Sequence, residues 1–155
     1  FEECINTNIT LKVYQQCLKS QNAALKSNYD LLNIKSEIFN FSHNLLSYFP
    51  KVDLAITRSG SSMLAELLNC NIPIISIPLP HSADNHQLKN AKYFERKGYS
   101  FLIEESELKK NLFPLIKSIH EDKGLLNQMK IRQNKYLDKK YFEKIDNLIK
   151  QIIHE

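Results

Sequence analysis

The sequence predicts an α/β fold built on an open, doubly wound parallel sheet. Short apolar runs alternate with segments of helical periodicity along the chain, and the connections between them are short. The most apolar run, IPIISI at 72–77, is rich in β-branched residues, which is typical of a central parallel strand. Strands that alternate with helices pair in parallel through helical crossovers. We therefore expect one domain of this class over residues 1–155.

The strands are predicted from short runs of apolar and β-branched residues. The segment 35–41 shows the alternation of a half-buried strand, whereas the unbroken apolar runs favour buried ones. In chain order the predicted strands cover residues 9–14, 35–41, 53–57, 72–77 and 99–103.

The helices are predicted from apolar spacing and from residues that start or stop helices. Tyr29 and Leu32 share one face of the first helix, Pro50 should end the second, and Gly98 stands where a C-cap glycine belongs. Apolar residues from Leu108 to Ile119 recur at helical spacing. The predicted helices cover 23–32, 44–49, a segment ending near 69, 84–97, a segment starting at 106, and one or two more within 122–155.

Composition excludes several classes of protein. Hydrophobic residues make up 43% and charged residues 25%, as in ordinary globular proteins. No apolar run is long enough for a membrane-spanning helix. The net charge of +4 is dispersed, so nucleic acid is not an expected partner. Three widely spaced cysteines without a CxxC motif favour a reducing cytoplasm over a disulfide framework or zinc knuckle. Because the chain opens without Met, we expect it to be part of a longer protein.

The loop TRSGSS at 57–62 leads from a buried strand into a helix and suits an anion. Small residues let the backbone approach a ligand, and the amides and dipole of a helix N-terminus attract negative charge. Glu66, about one turn later, could accept hydrogen bonds from vicinal sugar hydroxyls. The same pattern also fits a structural interpretation, in which Ser61 or Ser62 is an N-cap and Glu66 a solvated or capping acid.

The loop PLPHSADNHQ at 78–87 concentrates side chains that donate and accept hydrogen bonds, which suits a polyhydroxylated ligand. A metal site at His81, Asp84 and His86 is weakly supported, because their spacing matches no common metal motif. A serine hydrolase is weaker still, because Ser62 lacks the second glycine of a nucleophile elbow. We expect neither a metal nor a cofactor, and a nucleotide sugar is the ligand that both loops suit.

At these two loops the sequence resembles the MurG family of glycosyltransferases, glycosyltransferase family 28, in its C-terminal domain. The shared pattern is Arg–x–Gly with small residues, then Glu, a strand bearing proline, Pro–x–x–His, and Asp–x–His–Gln–x–x–Asn–Ala, all found in order within 53–103. This core covers about a third of the chain, and weaker similarity extends through nearly all of it.

The resemblance implies a Rossmann-like domain that forms the C-terminal, donor-binding half of a GT-B enzyme. Members of the family move N-acetylglucosamine (GlcNAc) from UDP-GlcNAc onto lipid I to give lipid II in peptidoglycan synthesis, with inversion at the anomeric carbon. The acceptor would bind through an N-terminal domain. By the same resemblance, the protein would work peripherally at the cytoplasmic face of the bacterial inner membrane, in cell wall biogenesis and division.

The resemblance also implies a set of donor-binding residues. Glu66 falls on the acid that binds the ribose hydroxyls, Gln87 with His86 on the region that reads GlcNAc, and Ser42 where backbone groups hold uracil. The residues on the loop and helix start that face the pyrophosphate are Arg58, Ser59, Gly60, Ser61, Ser62, Met63 and Leu64.

The chain departs from the family pattern in two places. The family's His-Gln-x-Gly after the first strand reads QQCL at 15–18, and its glycine-rich diphosphate segment should lie upstream of residue 1. No catalytic base is identified. Two alternatives stay open: a stand-alone GT-B half-subunit that serves dolichol-linked GlcNAc transfer, and a non-catalytic module that binds nucleotide sugars.

Overall fold

The structure is a computed structural model, and it describes residues 2–41, 45–136 and 150. Its strands are β1 Lys12–Gln16, β2 Lys35–Phe39, β3 Ala55–Thr57, β4 Ile74–Ser76 and β5 Phe101–Leu102. Its α-helices are α1 Glu2–Asn6, α2 Asn22–Leu31, α3 Ser61–Asn69, α4 His86–Lys97, α5 Leu108–Glu121 and α6 Gly124–Tyr136. Short 3₁₀ helices lie at Lys19–Gln21, Leu45–Lys51, Ala83–Asn85 and Glu105–Glu107. The strands pair in parallel, so the predicted α/β class is confirmed.

The chain forms two compact units and passes from one to the other more than once. The first unit comprises residues 1–52 and 106–123, and the second comprises residues 53–105 and 124–155. Each unit has its own hydrogen-bonded sheet, β1–β2 in the first and β3–β4–β5 in the second. The expectation that residues 1–155 form one domain stays a prediction.

In the first unit, β1 and β2 pair from Lys12 opposite Lys35 to Gln16 opposite Phe39. A buried cluster joins α1 to α5. Its members are Cys4, Ile9 and Ile116, with Leu11, Leu112 and Phe113 packed against them. The sequence did not predict α1, because its five residues are too few to show a helical period.

In the second unit, β4 lies between β3 and β5, and its three residues are fully buried. The neighbouring helix α3 buries Leu64, Leu67 and Leu68. An apolar strand with a partner on each side is the arrangement that the run at 72–77 predicted.

A buried glutamine attaches α6 to this unit. Gln133 is completely buried, and its Nε2 donates to the carbonyl oxygens of Ile72 at 3.0 Å and Tyr99 at 2.9 Å. These carbonyls come just before β4 and β5, so one side chain binds both strand starts. Apolar periodicity could not reveal this contact, because it depends on a buried polar side chain.

The strands are shorter than predicted, and β1 shows why. Lys12 pairs with Lys35, which follows Asn33 at a φ of +54°, so residues before 12 have no partner strand. Ile9, the first residue of the predicted strand, instead donates its N–H to the carbonyl of Cys4 at 2.9 Å and joins the buried cluster.

The prediction that Pro50 ends a helix is wrong. The described segment is a 3₁₀ helix from Leu45 to Lys51 that continues through Pro50, and residue 44 lies outside the described residues. A proline removes only the bond of its own missing N–H, which a short 3₁₀ turn tolerates.

The predicted C-cap of α4 is confirmed. Gly98 has a φ of +70°, and its N–H donates to the carbonyl of Glu95 at 2.8 Å. A Cβ at this position would lie 2.5 Å from Nη1 of Arg132. Both the left-handed backbone and the space therefore favour glycine. Among the described residues, no helix is long and apolar enough to cross a membrane.

Candidate functional site

The two polar loops singled out in the sequence follow neighbouring strands. The loop at 58–60 connects β3 to α3, and the loop at 77–85 connects β4 to α4 through a 3₁₀ turn. Because β3 and β4 are parallel, both loops leave the same edge of the sheet. The N–H of Ile77 donates to the carbonyl of Thr57 at 2.8 Å, which holds the two loop starts together.

Two further contacts fasten the loops to each other. The Nδ2 of Asn90, in α4, donates to the carbonyl of Ser59 at 3.1 Å. The Nη1 of Arg58 donates to the carbonyl of Pro78 at 3.4 Å and also pairs with the carboxylate of Glu105. The structure thus brings the Arg58–Gly60 loop and the start of α4 together within the second unit.

The N-terminus of α3 begins at Gly60 and has no side-chain cap. Gly60 is the N-cap, so Ser61 and Ser62 are the first two residues of the helix and not caps. A glycine cap leaves the amides of the first turn without a side-chain acceptor. These amides and the helix dipole can stabilise an anion.

The backbone conformation at residue 60 does not require glycine. Its φ of −67° and ψ of 136° are extended values that any residue adopts. A Cβ at this position would meet no heavy atom within 4 Å, so it would point into open space. Packing within the protein therefore does not explain the glycine, whereas close approach of a ligand would.

The other residues of the loop and helix start differ in what they can offer. Ser59 is completely buried, and its Oγ has no partner among the described residues. Met63 is half-buried. Leu64 is fully buried, and its N–H donates to the carbonyl of Gly60 at 3.0 Å. The structure therefore gives the Leu64 side chain a packing role beneath the loop, and a contact of Leu64 with the ligand stays a prediction.

Glu66 lies on α3 with an exposed side chain, four residues after Ser62 and therefore on the same side of the helix. Within the part of the chain that the structure describes, Glu66 takes part in no salt bridge. Its carboxylate can accept hydrogen bonds from an external donor.

His86 and Gln87 begin α4, and their hydrogen bonds fix which atoms remain available. The Nδ1 of His86 lies 2.7 Å from the carbonyl of Ala83, which can only accept, so Nδ1 carries a hydrogen and Nε2 is the nitrogen that can accept one. The Oε1 of Gln87 accepts the N–H of Leu79 at 2.9 Å. Its NH₂ group remains to donate. Together they offer one acceptor and one donor, as a hydroxyl requires.

The loop before α4 holds its shape at a conformational cost. His81, Asp84 and Asn85 have φ values of +58°, +49° and +52°, in the left-handed region. The Oγ of Ser82 accepts the N–H of Gln87 at 3.2 Å, and so satisfies one amide in the first turn of α4. The described residues contain no group of three His, Cys, Asp or Glu side chains that could hold a metal ion.

Two outcomes of the sequence analysis concern residues at the margins of this site. Ser42 lies outside the described residues. Glu105 and Asn90 were not among the predicted site residues, although both contact the loop at 58–60. Asn90 is the asparagine of the family pattern at 84–91, whereas the only signal for Glu105 was its position, since it follows β5 as Arg58 follows β3. A pairing across 47 residues cannot be read from local patterns.

The chain matches the family model described as the glycosyltransferase family 28 C-terminal domain over residues 2–150. It is 38% identical over 136 residues to a protein of Pelagibacter ubique, covering 86% of this chain and 35% of that protein. It is 33% identical over 151 residues to a protein of Rickettsia bellii, covering 94% of this chain and 41% of that protein. Both relatives are named UDP-N-acetylglucosamine--N-acetylmuramyl-(pentapeptide) pyrophosphoryl-undecaprenol N-acetylglucosamine transferase. The chain spans less than half the length of either relative.

A solved structure shares the fold. It is described as the crystal structure of Acinetobacter baumannii MurG, with a TM-score of 0.74 and 20% sequence identity. The match covers 86% of this chain and 40% of that one. The Rossmann-like fold predicted from the sequence is confirmed by this likeness, and the predicted family is confirmed by the model match.

Proposed function

Since the chain belongs to the glycosyltransferase family 28 C-terminal domain family, we propose that it is the donor-binding half of an inverting GlcNAc transferase. The donor is UDP-GlcNAc, the acceptor is lipid I, and the product is lipid II of peptidoglycan synthesis. The names of the curated relatives support this assignment. The acceptor binds outside this chain, and the protein works as a peripheral protein at the cytoplasmic face of the bacterial inner membrane.

The diphosphate lies at the N-terminus of α3 in this proposal. The uncapped amides of the first turn and the open space at Gly60 support that placement. Arg58, Ser59, Ser61, Ser62 and Met63 surround the same turn. When the bond to the sugar breaks, negative charge develops on the leaving UDP, and preorganised amides stabilise it.

In this proposal the ribose and GlcNAc lie on opposite sides of the diphosphate. Glu66, exposed and without an ion pair among the described residues, accepts hydrogen bonds from the ribose hydroxyls. The NH₂ of Gln87 donates to a GlcNAc hydroxyl, and Nε2 of His86 accepts from one. Ser42 supplies the backbone groups for uracil. The hydrogen bond from Asn90 to Ser59 is the single observation that carries the proposal, because it joins the sugar-reading helix to the diphosphate loop.

Titration calorimetry of the 155-residue chain with UDP-GlcNAc tests this function. We predict that wild type binds UDP-GlcNAc and that Glu66→Ala weakens binding about tenfold or more, since a charge-assisted pair of hydrogen bonds is lost. Glu95→Ala, which removes an exposed carboxylate from the last turn of α4, is the matched control and should bind as wild type does.

A ligand without the ribose 2′-hydroxyl sharpens the assignment of Glu66. UDP and its 2′-deoxy analogue should differ in affinity for wild type and bind equally to Glu66→Ala. If circular dichroism shows that the chain is folded and the chain binds no UDP-GlcNAc, the proposal is contradicted. An assay of the gene product that contains this chain tests the acceptor. Transfer of labelled GlcNAc to lipid I would support lipid I as the acceptor. Transfer to a dolichol-linked acceptor, or to neither, would instead favour one of the two alternatives.

A further inference from the structure

Arg58 reaches from the loop after β3 to the loops after β4 and β5. Its guanidinium donates to the carbonyl of Pro78, two residues after β4, and pairs with the carboxylate of Glu105, three residues after β5. One side chain therefore joins the carboxyl ends of β3, β4 and β5. In open α/β sheets this is the edge at which ligands bind.

The ion pair contributes little to the stability of the fold. The side chains of Arg58 and Glu105 are 49% and 41% exposed, and water screens an attraction between groups this accessible. The direct consequence of the contact is local, because it fixes where the Arg58 side chain lies.

The loop at 58–60 is thereby anchored at two successive residues. The Arg58 side chain is held by Glu105 and by the carbonyl of Pro78, and the Ser59 carbonyl is held by Asn90. Gly60 and the uncapped amides of α3 follow immediately. Anchoring the two residues before these amides keeps the amides in place and lowers the entropic cost of binding an anion.

We propose that Glu105 is a positioning residue for the diphosphate: it holds Arg58, and through Arg58 the backbone that presents the α3 amides. This role rests on the proposed function. Arg58 then acts through the position of its loop and not through a free positive charge, because its charge is already balanced by Glu105.

Direct binding of the phosphates by Arg58 would give the opposite change in UDP affinity when Glu105 is removed. If the guanidinium of Arg58 bound the phosphates directly, Glu105 would compete with them for it. Removal of Glu105 would then free the guanidinium and tighten UDP binding. If Glu105 positions the loop, its removal weakens UDP binding, so the sign of the change separates the two arrangements.

The experiment measures UDP binding by titration calorimetry to Glu105→Ala and to its neighbour variant Glu104→Ala. Glu104 is exposed and has no salt bridge among the described residues, so both variants lose the same charge beside the same strand. We expect Glu105→Ala to bind UDP about two- to fivefold more weakly than Glu104→Ala, the size of effect that a partly exposed ion pair can supply. Uridine, which has no phosphates, should bind both variants equally in ligand-observed NMR.

A double-mutant cycle supplies the second readout. In an Arg58→Ala background, Glu105→Ala should cause no further loss of UDP affinity, because the residue through which it acts is gone. Thermal melts of Glu105→Ala and the isosteric Glu105→Gln verify that both variants are folded.

Three results would overturn the role of Glu105. They are UDP affinity in Glu105→Ala equal to or tighter than in Glu104→Ala, an equal loss of uridine and UDP binding, and additive losses in the cycle. Failure of wild type to bind UDP at all would instead overturn the proposed function, so the two failures are distinguishable.

Discussion

Gln87 illustrates what a single side chain reveals only in the structure. The sequence singled it out as a polar residue in a loop suited to sugars, but an amide can donate, accept or do both. Its Oε1 accepts the N–H of Leu79, so the NH₂ is the end of the amide that has no partner among the described residues. That distinction depends on how the loop folds back on α4, which no local pattern in the sequence encodes.

We predict that Gln87→Glu and Gln87→Ala impair recognition of GlcNAc to a similar extent. Glutamate can still accept the N–H of Leu79 and keep the loop in place, but it has no hydrogen to donate. The preference for UDP-GlcNAc over UDP should fall about tenfold in both variants, measured as the ratio of their dissociation constants. The ratio removes the part of the repulsion between the new carboxylate and the diphosphate that both ligands share. UDP carries more negative charge, on its free terminal phosphate, so the remaining repulsion favours UDP-GlcNAc and works against the predicted fall.

The outcome for Gln87→Glu decides whether the NH₂ of Gln87 is the group that recognises GlcNAc. A variant that keeps the wild-type ratio while Gln87→Ala loses it would show that the contact with Leu79, and not the NH₂, is what the ligand requires.

Two helix ends use glycine for different physical reasons. Gly98 ends α4 in a left-handed conformation against Arg132, whereas Gly60 starts α3 in an ordinary extended conformation that faces open space. The sequence showed both positions as turn glycines. It could not show which one the backbone requires, since a φ angle depends on the structure around it.

We predict that the two Gly→Ala substitutions affect different properties, stability at Gly98 and UDP binding at Gly60. Gly98→Ala should destabilise the chain by about 1–2 kcal/mol, because alanine is strained at a φ of +70° and its Cβ would displace Arg132. Gly60→Ala should cost less than about 1 kcal/mol of stability, since alanine is a poorer N-cap than glycine but is not strained at this extended backbone. It should weaken UDP binding, because its Cβ occupies the space proposed for the diphosphate. Chemical denaturation and calorimetry measure the two effects.

Each variant serves as the control for the other. Gly98→Ala/Arg132→Ala should recover the part of the loss that comes from crowding and keep the part that comes from φ. Gly60→Ala with wild-type affinity for UDP would place the diphosphate elsewhere.

Across the whole molecule, local patterns predicted the kind of each element better than its partners. The alternation of strands and helices held, and so did the buried run that became β4, because periodicity and β-branching act over a few residues. The division into units did not follow from the sequence, since residues 53–105 and 124–155 belong together across an intervening segment. The contacts that join them, such as those of Gln133, are long-range and polar.

Thiol accessibility gives a test of the overall packing. Cys4 is buried between α1 and α5, and burial raises the pKa of its thiol, whereas Cys70 is exposed at the end of α3. We predict that a maleimide at pH 7.5 modifies Cys70 about a hundredfold or more faster than Cys4, because Cys4 is shielded and carries less thiolate below its raised pKa.

Mass spectrometry of digested samples assigns each modified cysteine. Cys70→Ser should remove the fast labelling at residue 70, and denaturant should make Cys4 reactive. Rapid labelling of Cys4 in the native chain would contradict the packing of α1 on α5.

The buried amide of Gln133 also determines when the second unit can complete its hydrogen bonds during translation. The strands β3, β4 and β5 are all translated by residue 102, yet the carbonyls of Ile72 and Tyr99 receive their shared donor only when residue 133 has left the ribosome. Between these points the chain makes the segment 106–123, which belongs to the other unit. A nascent chain stalled within that segment carries a sheet whose two hydrogen bonds from Gln133 have not yet been made.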